Sequence, residues 1–131
     1  MTVPPTGAET EPLRILLVED DALIGMFMAE LLVYLGYEVY PVETTESGAV
    51  SAAARHRPDL IIIDMRLADG SGRSAMARIE QNKPTPHIFM SGDLLEAAAP
   101  GTVLLRKPFR DVDLERAIGQ ALGAGLPNYV V

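Results

Sequence analysis

Leu60-Ile61-Ile62-Ile63-Asp64 is a near-continuous run of apolar β-formers that ends in a carboxylate. Such a run reads as a strand buried on both faces, the habit of a parallel sheet covered by helices on either side. An acid at the C-terminal tip of that strand stands where open α/β sheets hold their ligands. Working outward, the run Ile15-Leu16-Leu17-Val18 also ends in acid, with Glu19, Asp20 and Asp21. Downstream, Val103-Leu104-Leu105 leads to Lys107-Pro108-Phe109. Two acidic strand ends and one lysine end can meet at one edge of a parallel sheet. Carboxylates gathered there repel one another unless a cation sits among them. A set of oxygen ligands favours a hard ion such as Mg²⁺.

Strand and helix patterns alternate from Leu13 onward. Leu13–Val18 reads as the first strand. Ile24, Phe27, Met28, Leu31, Leu32 and Leu35 follow at helical spacing, and Gly36 ends that helix. Met26 and Met28 fit a core helix rather than a cofactor box. Val39–Val42 is a second, shorter strand. Alanine-rich Thr45–Arg55 is helical, entered through Thr44 or Thr45 as N-cap, and Pro58 forbids its continuation. After the Leu60–Asp64 strand, residues 68–72 are a loop by composition. Ser74–Gln81 is a short helix, His87–Met90 a fourth strand and Val103–Leu105 a fifth. Leu114, Ala117, Ile118, Ala121 and Leu122 mark a last amphipathic helix, ended by Gly123 and Gly125. Five strands separated by helices and connected right-handedly give a doubly wound parallel α/β sheet.

The 131 residues suffice for one domain and are too few for two. Residues 1–12 read as a flexible leader, 13–123 as the domain, and 124–131 as a tail too short to be an output domain. The leader lacks the pattern of a signal peptide. No apolar run approaches membrane-spanning length. The chain has no cysteine, which excludes disulfides and thiolate metal sites and fits a reducing cytosol. A net charge of −7 argues against direct nucleic-acid binding, which needs a basic face.

With strand ends placed, the chain resembles the receiver domain of two-component response regulators, from about Leu13 to Leu122. The matched features are Glu19-Asp20 after strand one, Asp64 after strand three, Ser91 after strand four and Lys107-Pro108 after strand five. All four in order, each at a strand's C-terminal end, are highly specific. The resemblance implies a flavodoxin-like sheet of order 2-1-3-4-5. The stretch between Ser91 and Lys107 is too short for the usual full fourth helix, and Leu94–Ala99 has room for about one and a half turns. Phe89-Met90-Ser91-Gly92 is similar to the Phe-Ala-Thr-Gly motif of the FATGUY receivers, with Met90 and Ser91 in place of Ala and Thr. That subfamily has a reduced or disordered fourth helix. Its members are often single-domain and work with the HWE class of histidine kinases.

The resemblance also assigns roles. Asp64 is the phosphoacceptor, and an aspartyl-phosphate is an established covalent form. Asp20 binds Mg²⁺ directly, Glu19 does so through water, and the Arg66 backbone carbonyl supplies another oxygen. Lys107 meets the phosphoryl group as a point charge. The Ser91 hydroxyl donates to a phosphoryl oxygen, and Pro108 holds a cis peptide that aims Lys107. Plainer readings compete with these. Asp21 reads as an N-cap rather than a ligand. Glu19 and Asp20 taken alone could also be capping acids, Ser91 a turn serine, and Lys107 beside Arg106 a solvated basic pair. His56 and His87 lack ligand spacing and read as surface or strand-edge residues. Leu104 stands where receivers usually carry an aromatic, so the switch is expected to run instead through order and disorder of Leu94–Pro100.

Taken together, these features imply a stand-alone bacterial phosphoprotein of the cytoplasm. It would take its phosphoryl group from a histidine kinase or phosphotransfer protein in a phosphorelay. It would then signal through a protein partner or act as a phosphate sink, without being a turnover enzyme. The alternative is a receiver-fold module that binds protein without being phosphorylated. A haloacid-dehalogenase-type phosphatase is discounted, because it needs two aspartates two residues apart on strand one, and the nucleophile here lies on strand three.

Overall fold

The computed structural model describes residues 11–92 and 101–123. Most of the expected leader, the whole tail with Gly125, and the switch segment Leu94–Pro100 lie outside the described residues.

In chain order the elements are β1 (Arg14–Val18), α1 (Ala22–Tyr34), β2 (Glu38–Val39), α2 (Glu46–His56), β3 (Leu60–Asp64), β4 (Arg66–Leu67), β5 (Gly70–Ser71), α3 (Gly72–Asn82), β6 (His87–Ser91), β7 (Val103–Arg106) and α4 (Asp111–Leu122). The main sheet is parallel, in the order β2-β1-β3-β6-β7. Its five strands therefore follow the expected order 2-1-3-4-5. The order reverses beside β1 and β3, which places the ligand-binding crevice at their C-terminal ends.

The central strands are buried on both faces, and their side chains alternate between two cores. Ile15, Leu17, Leu60, Ile62, Ile88 and Met90 pack with Met28 and Leu32 of α1 and Leu114 and Ile118 of α4. Leu16, Val18, Ile61, Ile63 and Phe89 pack with Ala49 and Ala52 of α2 and Ala75, Met76 and Ile79 of α3. The apolar run of β3 thus serves both cores at once, which is why it carries no polar residue before Asp64.

Local chemistry sets most boundaries. Asp21 caps α1, its Oδ1 accepting from the amides of Leu23 at 3.0 Å and Ile24 at 3.1 Å. Thr45 caps α2 by accepting from the Gly48 amide. Gly36, at φ +104°, makes the left-handed turn after α1 that a side chain would resist.

Three expectations are corrected. The second strand is two residues rather than Val39–Val42, because Pro41 has no amide for the ladder. The chain nevertheless stays beside β1, with the Glu43 amide donating to the Leu17 carbonyl at 3.0 Å. Residues 68–72 are not wholly loop: Gly70–Ser71 pairs antiparallel with Arg66–Leu67 in a tight hairpin, and α3 starts at Gly72. Finally, α1 buries only part of the stripe its spacing suggested: Met28, Leu31, Leu32 and Leu35 pack on the core, but Ile24 and Phe27 do not. Gly25, Met28 and Leu32 face the core, while Met26 and Phe27 are 51% and 62% exposed and Ile24 is 39% exposed. A helix apolar nearly all round gives periodicity no face to choose.

Candidate functional site

Four strand ends converge on one cleft lined by Glu19, Asp20, Asp64, Arg66, Ser91 and Lys107, with Asp21, Ile24, Met90 and Gly92 beside them. The β1 end is fixed by backbone bonds, the Glu19 amide donating to the Glu43 carbonyl at 2.9 Å. The β3 end is tied to β6 by the Met65 amide, which donates to the Met90 carbonyl at 2.9 Å. The β7 end is tied to β6 by the Lys107 amide, which donates to the Ser91 carbonyl at 2.8 Å, and the Lys107–Pro108 peptide is cis.

At the centre, Lys107 Nζ lies 2.7 Å from Glu19 Oε1 and 2.8 Å from Asp64 Oδ1. Both carboxylates are buried, as is Ser91, whereas Asp20 is exposed at the rim. The Asp21 amide donates to Glu19 Oε2 at 3.1 Å. Burial pushes the Asp64 carboxyl up to about 7, and the adjacent Glu19 carboxylate adds to the rise while Lys107 opposes it. Burial also opposes ionisation of Glu19, but hydrogen bonds from Asp64, Lys107 and the Asp21 amide outweigh it and hold Glu19 below its ordinary value. Burial disfavours the Lys107 cation too, yet its bonds to Asp64 and Glu19 raise it above the ordinary lysine value. The two neighbouring carboxyls are thus driven apart, Asp64 upward and Glu19 downward, with Lys107 bonded to both.

Glu19, Asp20 and Asp64 each present an oxygen within 4.8 Å of the others, so this group could hold a metal ion. All three donors are carboxylates, and the chemistry fits a hard cation. Arg66 opens onto the same cleft. The histidines stand elsewhere. His56 stacks on Tyr40 with ring centroids 4.1 Å apart, and His87 Nδ1 lies 2.8 Å from the Thr85 carbonyl. Leu104 is partly buried against the α2–α3 side of the sheet.

Two supporting residues escape sequence reasoning. A Cβ on Gly72 would stand 2.2 Å from the Asp64 carbonyl oxygen, so only glycine lets α3 begin so close to the end of β3. Glu46 stands in the first turn of α2, and its carboxylate reaches across to the β4–β5 hairpin and α3. Neither partner is near in sequence, so no local pattern announces it.

A flavodoxin-like sheet with paired acids on β1, a lone aspartate on β3 and a lysine after β7 defines a signalling domain built around a carboxylate–lysine cleft. The family described as the response regulator receiver domain matches residues 15–119, and the chain belongs to it. Receiver domains are signalling modules rather than metabolic enzymes, and they interact with histidine kinases or phosphotransfer proteins. The chain is 37% identical over 129 residues to the transcriptional regulatory protein PdtaR of Mycobacterium tuberculosis, covering 93% of this chain and 63% of that protein. It is 36% identical over 115 residues to the phyllosphere-induced regulator PhyR of Methylorubrum extorquens, covering 83% of this chain and 43% of that protein. It therefore spans less than two thirds of either relative. Among solved structures, the receiver domain of Erythrobacter litoralis PhyR superposes with a TM-score of 0.76 at 30% identity, covering 88% of this chain and 93% of that one. Among the described residues no helix is long and apolar enough to cross a membrane.

Proposed function

We propose that this receiver takes a phosphoryl group on Asp64 from the phosphohistidine of a histidine kinase, of the HWE class, or of a phosphotransfer protein. The observation that carries the reading is the contact of Lys107 Nζ with both Asp64 and Glu19 at the mouth of the acidic group. Asp64 Oδ attacks phosphorus as the phosphorus–nitrogen bond breaks, and its electron pair stays on the imidazole. Phosphoryl transfer asks the protein mainly for alignment and charge neutralisation. Glu19, Asp20, Asp64 and the Arg66 carbonyl are the groups that would hold Mg²⁺, which when bound neutralises phosphoryl oxygens. Lys107 then exchanges an Asp64 oxygen for a phosphoryl oxygen, and the Ser91 hydroxyl donates to another. The Asp64 proton must leave first, which couples loading to pH. The phosphorylated domain signals by protein–protein contact or drains phosphate from another regulator, in the cytoplasm of a bacterium.

The test is incubation with Mg²⁺ and a small-molecule phosphodonor, followed by intact mass and peptide mapping. A single adduct on the Asp64 peptide, absent from Asp64→Asn, is expected because an amide is a poor nucleophile. An adduct that persists in Asp64→Asn overturns the assignment. No adduct on the unaltered protein would favour a receiver fold that binds protein without phosphorylation.

A further inference from the structure

We propose that Glu46, in the first turn of α2, is a positioning residue for this site: it clamps the β4–β5 hairpin and so fixes the Arg66 carbonyl that the cation would meet. The inference rests on the metal-binding part of the reading above. It extends that reading to a residue two elements away from the cleft.

The side-chain bonds of Glu46 all leave its own helix. Oε1 accepts from the Ser71 amide at 3.1 Å. Oε2 accepts from the Ser74 hydroxyl at 2.6 Å and from Arg78 Nη1 at 3.2 Å. The Glu46 amide donates back to Asp69 Oδ1 at 2.8 Å, which grips the hairpin turn itself. The Glu46 side chain is 11% exposed, so these bonds are largely shielded from competing water. A first-turn acid that merely complements its helix dipole would lie in solvent and bond nothing distant.

The hairpin is shaped to receive this carboxylate. A Cβ on Gly70 would collide with Glu46 Oε1, so a side chain there would push the carboxylate out of its present place. Ser71 pairs directly with Arg66 across the two strands. Gly72, next in sequence, donates its amide to the Met65 carbonyl at 2.9 Å and abuts the Asp64 carbonyl. A short path therefore runs from Glu46 through Ser71 and Gly72 to Asp64 and the two residues that follow it. A two-residue hairpin has little stability of its own, and an outside clamp sets its position. Groups that orient a metal's ligands commonly tune its affinity by about tenfold or more, and this clamp would act on a ligand through the hairpin.

The experiment compares the full chain with Glu46→Ala, Glu46→Gln and Asp113→Ala. The last removes the first-turn contact of α4, far from the hairpin, and serves as a control for lost stability. Two quantities are read in folded protein: Mg²⁺ affinity by calorimetry, and amide hydrogen exchange of residues 66–71 in chelator. Glu46→Ala is expected to weaken Mg²⁺ by about tenfold or more and to speed exchange at Ser71. Glu46→Gln keeps an oxygen for the Ser71 amide and should recover most of the affinity, and Asp113→Ala should change neither. Parent-like Mg²⁺ affinity in Glu46→Ala, or unchanged exchange across the hairpin, overturns the proposal. Failure of the unaltered protein to bind Mg²⁺ would instead refute the metal reading, and the exchange data would still judge the clamp separately.

Discussion

Asp64 carries two demands that conflict in the metal-free protein. As the proposed nucleophile it must be ionised, yet burial and Glu19 push its carboxyl up to about 7. In the unfolded chain the same group titrates near the ordinary value of about 4. Between those values the folded protein holds a proton that the unfolded chain has released. The stability this supplies is fully present below the unfolded value and is lost as pH rises through about 7. Glu19 has the opposite sign, but its depressed value confines its effect to more acidic solution. In chelator the melting temperature should therefore fall from mildly acidic to mildly alkaline pH, and Asp64→Asn should flatten that slope. A profile as steep in the variant as in the parent would assign the titration to another group. Lys107 is the counterpart. Without Mg²⁺, Lys107→Ala strips the donor shared by two buried carboxyls, and it should cost about 1–3 kcal/mol. Since lysine brings no oxygen ligand, Mg²⁺ binding should be unchanged or tighter, while the response to beryllofluoride as phosphoryl mimic is lost. Calorimetric titration with and without the mimic separates these effects. A large loss of Mg²⁺ affinity with a normal response to the mimic would give Lys107 a different role.

At the scale of elements, legibility followed the range of the signal. An apolar run followed at once by a charged residue is a local pattern, so the ends of β1, β3 and β7 could be read directly, and so could the Asp21 and Thr45 caps. The exposed side of α1 could not. Leu23, Phe27 and Tyr34 are as apolar as the residues opposite them, and only the presence of the sheet decides which set is buried. The contact of Glu46 with the hairpin was equally hidden, since Glu46 and Ser71 are 25 residues apart in the chain. The junction of β3 with α3 offers a direct check. Gly72→Ala would drive a methyl group into the Asp64 carbonyl, a backbone atom that cannot swing aside. Overpacking of this kind costs about 1–3 kcal/mol. Because the displaced atom belongs to the proposed phosphoacceptor, the rate of adduct formation should fall as well. Gly92→Ala, where an added Cβ meets nothing within 4 Å among the described residues, is the paired control for stability. Equal melting temperatures for the two variants would mean that the β3–α3 junction has more room than its geometry indicates.

For the whole molecule, the important fact is that the residues of the candidate site come from separated parts of one sheet. Glu19 and Asp20 follow β1, Asp64 ends β3, and Lys107 follows β7. No short segment can hold the cation alone, so binding requires the assembled sheet and both of its cores. A ligand with affinity for the folded state only stabilises by mass action, about 2.7 kcal/mol when present at 100 times its dissociation constant. Mg²⁺ should therefore raise the melting temperature of the entire domain in one cooperative transition, rather than protect a local loop. The metal-free sheet already sets Lys107 against Glu19 and Asp64, so part of the carboxylate repulsion is offset before any ion arrives. Asp20 is different. It is exposed and outside that triad, so the ion gains from Asp20 what the lysine has not already neutralised. Asp20→Ala should consequently leave the metal-free melting temperature close to the parent value, or slightly above it, and abolish most of the shift with Mg²⁺. Melting curves followed by circular dichroism across a Mg²⁺ titration test both halves. A full Mg²⁺ shift in Asp20→Ala would place the ion elsewhere on the molecule. A large loss of metal-free stability would show Asp20 holding the fold rather than waiting for a ligand.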